Sequence, residues 1–416
     1  MGMTMAEKIL AAHAGVSTVK PQDVVEVAPD TIVLIDVNFL IPTMGWEFLK
    51  IADPERVVVI FDHWTPAKDI GAATAHRRGR EFVRKFGIKR FHDVGLRQGI
   101  SHQVVGEEGY ALPGDILVCV DSHTCSAGAF NAVARGLGTA EITSATCLGK
   151  TWFQCGETVR YELEGQMADR VTPKDVFLYI AGKYGAHTLQ NMEFHGPGVE
   201  RWEIDERRAL ATMCAEVGVE FALFPCDEKL EGYLHARGKT RFAPVAPDPD
   251  ARYAAERRID VTRIEPMIAL PHQVMNNCKP VGELSDVKVD QCFIGACCNG
   301  TLADIKIAAQ IVKDREVAES VRFIVTPASQ RVYAQAVEAG YVTTLLEAGA
   351  VVTSATCGAC GGSSLGVLGP GERAISASPR NFKGRMGSPE AEIFLGSSAS
   401  VAASALTGRI TDPRRV

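Results

Sequence analysis

The sequence predicts an α/β protein whose functional groups stand on loops at the carboxyl ends of strands. Three observations predict this. Short, uninterrupted apolar runs rich in β-branched residues recur, as at Thr31–Ile35, Val57–Phe61 and Ile116–Val120. Helical patterns lie between and after such runs, as at Leu302–Val312. Residues with titratable or metal-binding side chains follow the runs directly: Asp62-His63, Asp121-Ser122-His123, Cys297 and Cys357. In open α/β sheets ligands bind in the crevice outside the carboxyl ends of the strands, so these groups are expected to face one crevice.

Taken in order, Thr4-x-x-Glu7 is a capping box opening a helix that Gly15 can end. Thr31–Ile35 is a buried strand ending at Asp36, and Val57–Phe61 delivers Asp62-His63. A polar, helix-like stretch runs on to Lys85, and Gly99-Ile100-Ser101-His102-Gln103 reads as a loop. Ile116–Val120 delivers Asp121-Ser122-His123-Thr124, and the Gly/Ala-rich run from Gly128 to Gly138 reads as a tightly packed helix and turn. The middle third holds a helix over Glu206–Ala215 and a proline-rich linker or surface loop at Pro244–Asp250. Strand–helix alternation then returns. Asp290–Gly295 leads into Cys297, and Ala350–Ser354 reads as a buried strand leading into Cys357.

A chain of 416 residues exceeds what one core usually organises, so two or three domains are expected. Apolar residues at 46% and charged residues at 23% describe an ordinary globular protein. The net charge of −6, with no basic block, argues against a nucleic-acid partner. No apolar run approaches the roughly 20 residues that span a bilayer, so no membrane partner is expected. The N-terminus has no secretory h-region. Twelve scattered cysteines in a chain this long do not resemble a secreted disulfide scaffold, which points to the reducing cytoplasm.

An aspartate beside a histidine fixes the imidazole tautomer and raises its basicity, as acid–base catalysis requires. Asp62-His63 and Asp121-Ser122-His123 both have this form; the alternative is two surface loops. Arg380 and Arg385, five apart around a glycine, suit the grip of a small carboxylate; the alternative is two solvated charges. Cys357-x-x-Cys360 with Cys297 offers three thiols, one short of a closed four-thiolate cluster. That shortfall suits a cluster with one iron left open. A zinc site completed by Cys292, Cys298 or His272, a redox pair, or simple burial are the alternatives. Cys119, Cys147, Cys214 and Cys278 read as buried apolar residues.

Together the motifs resemble the large subunits of the isopropylmalate dehydratase and aconitase family, of the shorter type found in archaea and many bacteria. The resemblance runs nearly end to end. It is carried by Met5–Leu10, Asp62-His63, Gly99–Gln103, Asp121–Cys125, Gly149–Phe153, Ile264–Met267, Leu270–His272, Phe293–Gly300, Cys357–Gly361 and Arg380–Gly387. It implies an aconitase-like iron–sulfur fold: three α/β subdomains with mostly parallel sheets around a central cleft, bounded here as 1–155, 156–281 and 282–416. It implies a [4Fe-4S] cluster held by Cys297, Cys357 and Cys360, with the fourth iron open to substrate. Asp62, His63, His102, Asp121, His123 and Glu216 become the acid–base set, and Arg380 and Arg385 the substrate arginines.

The activity implied is a hydro-lyase that dehydrates, hydrates or isomerises a 2-hydroxy di- or tricarboxylic acid. Isopropylmalate, homoaconitate, a dimethylmalate and a maleate-type substrate all fit; a non-catalytic relative keeping a cluster or a zinc is the reading from another class. Departures from the family pattern fall at Val37-Asn38, Ala127, Ala296, Cys298 and Pro379. They bear on the substrate more than on the reaction class. In this family the base that removes the carbon-bound proton is a serine on a swivelling domain, which the isopropylmalate type carries on a separate small chain. The sequence ends at Val416 with no stretch left for such a domain, so a small-subunit partner is expected.

Overall fold

Three sheets with mostly parallel strands organise the computed structural model, which describes residues 2–40, 48–362 and 364–416. The first has five strands in the order Arg90–His92, Val57–Ile60, Thr31–Ile35, Ile116–Cys119, Val133–Gly136, all parallel. Val57–Ile60 and Thr31–Ile35 are buried along their whole length, which is why they read as unbroken apolar runs. The second sheet runs Ala222–Leu223, Gln190–His195, Glu157–Glu164, Ala255–Asp260, also parallel. The third has seven strands: Cys278–Pro280, Met267–Ala269, Glu392–Leu395, Arg373–Ser376, Gln291–Ile294, Arg322–Val325, Val351–Val352. Only the pairings made by Met267–Ala269 are antiparallel there. An antiparallel ribbon, Val24–Val27 with Thr151–Gln154, completes the strands. Among the described residues no helix is long and apolar enough to cross a membrane.

The first and third sheets aim their carboxyl ends at each other, and the chain clasps them together there. Ile100 N donates to Ala328 O at 2.8 Å, and Gln330 N to Gln98 O at 2.9 Å. The Gln98 amide donates to Ala355 O. Thr356 Oγ1 lies 3.4 Å from the carbonyl oxygens of both Asp62 and His63.

Most expected elements form. Thr4 caps the helix Met5–Ala14 through the full capping box, and Gly15 ends it with φ of 67°. The helices Ile70–Phe86, Ile204–Met213 and Leu302–Val312 stand where helical patterns were read. Pro244–Asp250 is irregular chain, pinned to the first helix by the Lys8–Asp248 ion pair at 2.8 Å.

Four readings are corrected. Gly99–Gln103 is not a loop throughout, because Ser101–Glu107 is helical and carries His102 in its first turn. Its leading N–H, on Ser101, donates to Asp62 Oδ2 at 3.1 Å, so the helix start is satisfied by a carboxylate from a distant strand rather than by a local cap. The run Gly128–Gly138 is no helix and turn: a 3-10 segment, Ser122–Phe130, gives way to the strand Val133–Gly136. Gly128 serves close approach instead, since a Cβ there would stand 1.6 Å from Ala222 O. Ala350–Ser354 yields only Val351–Val352, an edge strand with Val351 57% exposed, because just one neighbour pairs with it. Of the four cysteines read as buried, Cys147 and Cys278 are half-buried.

Asp115 shows how the first sheet responds to pH. Its carboxylate accepts from Leu112 N at 3.1 Å. Burial, and then the neighbouring Asp30 carboxylate, push its pKa up to about 7. An aspartate in an unfolded chain titrates near about 3.9, so between these values the folded state holds the proton more tightly. Stability from this group therefore falls as pH rises from about 4 to about 7. Asp115→Asn keeps the accepting oxygen and removes the charge. Calorimetry should show a higher Tm than wild type above neutral pH and a flatter Tm profile through the acid range. Superimposable profiles would contradict the buried-charge account.

Candidate active site

Five strand exits converge on one cleft. Val57–Ile60 delivers Asp62 and His63, Ile116–Cys119 delivers Asp121 and His123, and Gln291–Ile294 delivers Cys297. Val351–Val352 leads to Cys357 and Cys360, and Arg373–Ser376 to Arg380 and Arg385. The cleft is lined by Asp62, His63, His102, Asp121, His123, Cys297, Cys357, Cys360 and Arg385, with Ile100 and Ala296.

Asp121 is the hub of the acid–base side. Its Oδ1 lies 3.1 Å from His102 Nε2 and 3.2 Å from His123 Nδ1, and Oδ2 lies 3.5 Å from His63 Nε2. Burial alone would raise its pKa, but the bonds from His102, His123 and His63 outweigh that and hold the carboxyl well below its usual range. His63 Nδ1 meets Asp62 Oδ1 at 2.6 Å. Burial opposes the imidazolium, yet Asp62, Cys357 and Asp121 around it raise the His63 pKa well above normal. The shared proton rests on His63, because that ring has a carboxylate at each nitrogen.

His123 reaches on to Glu216 Oε1 at 2.9 Å, and the same oxygen accepts from Arg380 Nε at 2.8 Å. Against the effect of burial, those two partners hold the Glu216 carboxyl below its normal pKa. Glu216 sits in the 3-10 turn Cys214–Val217, and Arg380 also donates to Ser122 Oγ at 2.6 Å. Arg385 donates to Cys360 Sγ at 3.5 Å, and its Nε is buried with no partner, facing the requirement for an acceptor. Neither arginine is a solvated surface charge.

The thiol side is built on tight turns. Cys297 is the second residue of the short helical turn Ala296–Asn299, with Ala296 held at φ of 66°. Gly358, between the other two thiols, has φ of 59°, and a Cβ there would meet Thr326 Oγ1 at 2.7 Å. Burial pushes the Cys357 thiol well above its normal pKa, so a metal that binds it must displace a proton. Three thiols fit a cluster with three protein ligands. Both nitrogens of His63 and of His123 are engaged by carboxylates, so neither ring is free to complete a zinc site. His272 is exposed and Cys292 lies within the core of the third sheet.

All eleven residues singled out in the sequence thus meet at or beside this cleft. Asp36 was missed. It ends the first strand as Asp62 and Asp121 end theirs, a repetition that was available as a signal. Its buried carboxylate accepts from His63 N at 3.3 Å and Trp64 N at 2.8 Å. Of the departures from the family pattern, only Ala296 lines the cavity. Asn38 turns to its own backbone, accepting from Ile35 N at 2.8 Å.

Carboxylate-backed imidazoles facing three thiols across a cleft between parallel sheets define an acid–base enzyme with a metal-binding wall. A model of the aconitase family (aconitate hydratase) matches residues 57–279 and 272–408. The chain is 50% identical over 416 residues to the 3-isopropylmalate dehydratase large subunit of Mycolicibacterium smegmatis, covering 100% of this chain and 98% of that one. It is 42% identical over 419 residues to 3-isopropylmalate dehydratase large subunit 1 of Methanopyrus kandleri, covering 100% and 99%. The crystal structure of Thermococcus kodakaraensis aconitase X in its holo-form aligns with a TM-score of 0.49 at 12% identity, covering 88% of each chain. The chain belongs to the aconitase family, and that membership implies an iron–sulfur cluster.

Asp36 gives a direct test of how the His63 loop is held. Asp36→Ala removes the acceptor of the half-buried His63 and Trp64 N–H groups and of Val37 N, each loss costing up to about 1–3 kcal/mol. Asp36→Asn keeps an accepting oxygen and should cost less. Urea denaturation should rank wild type, Asn and Ala in falling order of stability; equal midpoints would contradict this role.

Proposed function

We propose that this chain is the large, cluster-bearing subunit of a 3-isopropylmalate dehydratase-type hydro-lyase. The observation that carries the reading is the assembly of all eleven residues in one cleft of a chain similar end to end to such large subunits. Cys297, Cys357 and Cys360 would hold a [4Fe-4S] cluster, which would supply Lewis-acid chemistry toward the substrate hydroxyl and a neighbouring carboxylate. Arg380 and Arg385 bind the carboxylates and fix the acid in one orientation. Glu216 and Ser122 aim the Arg380 guanidinium by holding its Nε and one terminal nitrogen.

His63 is the proton donor to the departing hydroxyl. It is the most accessible of the three imidazoles, with 27% of its side chain exposed against 6% for His102 and 4% for His123. It holds the proton at Nε2 while Asp62 keeps Nδ1 bonded. Asp121 stabilises the positive charge until transfer, and His102 and His123 keep that carboxylate in place. Among the described residues, the carboxylates lining the cleft, Asp62 and Asp121, are both engaged by imidazoles, which leaves neither as base for the carbon-bound proton. A small subunit carrying the swivelling domain brings that base as a serine.

The substrate is a 2-hydroxy di- or tricarboxylic acid; 3-isopropylmalate is the first candidate, with homoaconitate, a dimethylmalate and a maleate-type acid as the others. A division into units 1–155, 156–281 and 282–416 around the cleft belongs to the same reading, as does a cytoplasmic location, where free thiols persist.

The test is anaerobic reconstitution with iron and sulfide, followed by assay against these acids with and without the small chain. An iron–sulfur absorption band, little turnover alone and full turnover with the partner are expected. Stoichiometric zinc with no iron uptake, or full activity of the chain alone, would overturn the respective part. Arg380→Lys in the assembled enzyme should lower kcat/KM by roughly 10- to 150-fold, the loss of about 1.5–3 kcal/mol expected for one charge-assisted contact. Wild-type kinetics would remove Arg380 from the site.

A further inference from the structure

Behind the thiol loops lies a charge that the proton chemistry does not use. Lys174 is the second residue of the helix Pro173–Tyr184 and is fully buried. Its ammonium donates to Ala377 O and, at 2.8 Å, to Ser378 O, and it lies 4.0 Å from Cys298 Sγ. Two of its N–H groups are satisfied by carbonyl oxygens and the third faces a thiol; burial pushes the lysine pKa down, against which Cys298, Asp304, Asp175 and Cys360 favour the ammonium.

No carboxylate among the described residues forms an ion pair with Lys174. Asp175, its neighbour in sequence, accepts instead from Met267 N at 2.9 Å and Thr172 N at 2.8 Å. A buried cation without a counter-ion is costly and is retained where something nearby supplies negative charge. Both groups that Lys174 touches lead into the site. Cys298 follows Cys297 in the same turn, and its Sγ donates to Ala377 O at 3.2 Å. Ala377 and Ser378 lie between the strand Arg373–Ser376 and Arg380. One side chain thus ties the first thiol loop to the arginine segment, at the back of a wall that becomes anionic when its thiols ionise to bind metal.

We propose that Lys174 is a positioning residue that supplies the internal counter-charge for the thiolates of Cys297, Cys357 and Cys360 and pins the Arg380 segment against them. The inference rests on the cluster reading given above. Net charge and nearby hydrogen bonds are levers on the potential of an iron–sulfur cluster. Removing a buried positive charge favours the oxidised state and lowers the potential. Losing the bonds to Ala377 and Ser378 loosens Arg380 and weakens substrate binding.

The experiment compares reconstituted wild type with Lys174→Gln, which keeps a donor and drops the charge, and Lys174→Met, which drops both. Both variants should keep the wild-type circular dichroism and show a lower cluster midpoint potential in EPR-monitored titration, with several-fold faster iron loss in air. With the small chain added, the Met variant should show a several-fold higher KM and a smaller change in kcat. A purely structural lysine would move thermal stability and leave the potential unchanged. Equal potentials in loaded wild type and in whichever variant folds overturn this inference alone. A wild type that takes up no iron overturns the cluster reading and this inference with it.

Discussion

One half-buried carboxylate holds the acid–base face together. Asp121 lies against three imidazoles from three separate segments, and each of those rings then contacts the cavity. In a site shielded from water, a single anion shared among three potential cations fixes their tautomers and their spacing at once. The arrangement requires the first sheet, the Ser101–Glu107 helix and the turn at Glu216 to meet within hydrogen-bonding distance. The bonds from Gln98, Ile100 and Thr356 to the third sheet supply that constraint, and they also fix how far the thiol wall stands from the imidazoles. Acid–base face and thiol wall are therefore positioned by the same few contacts.

Two walls of opposite character follow. On one, His63 is raised well above its normal pKa by Asp62, Cys357 and Asp121, and His123 by Cys297, Asp121 and Glu216, each against the effect of burial. On the other, burial raises the Cys357 pKa well above normal, and Lys174 lies behind the turn of Cys297. Arg380 and Arg385 bridge the two: one bonds Glu216, the other Cys360. A ligand with two carboxylates and a hydroxyl meets a complementary group on every side of this cleft.

What was legible in the sequence was local. Val57–Ile60 and Ile116–Cys119 announce themselves as apolar runs, and the Asp-His pairs follow within four residues. Thr4, Glu7 and Gly15 state a helix start and stop in their own chemistry. What was not legible depends on partners distant in the chain. The helix carrying His102 starts because Asp62 satisfies its first N–H. Gly128 is glycine because the carbonyl of Ala222 passes close by. Val351 reads as a core residue and lies on a sheet edge, since hydrophobicity does not reveal which strand lacks a second neighbour. Glu216 came only from the resemblance to a family, and the bonds to His123 and Arg380 give it a physical reason. Lys174 carried no motif at all. Its importance emerges only when burial and the three groups it faces are seen together.

The central claim is that Cys297, Cys357 and Cys360 together would hold an iron–sulfur cluster with one iron open to the substrate. The most direct measurement is the Mössbauer spectrum of the chain reconstituted with iron-57, before and after addition of a 2-hydroxy dicarboxylic acid. The account predicts one iron environment distinct from the rest, and that one alone should change when the acid binds. Spectra in which every iron is equivalent, or in which the acid perturbs none of them, would contradict it.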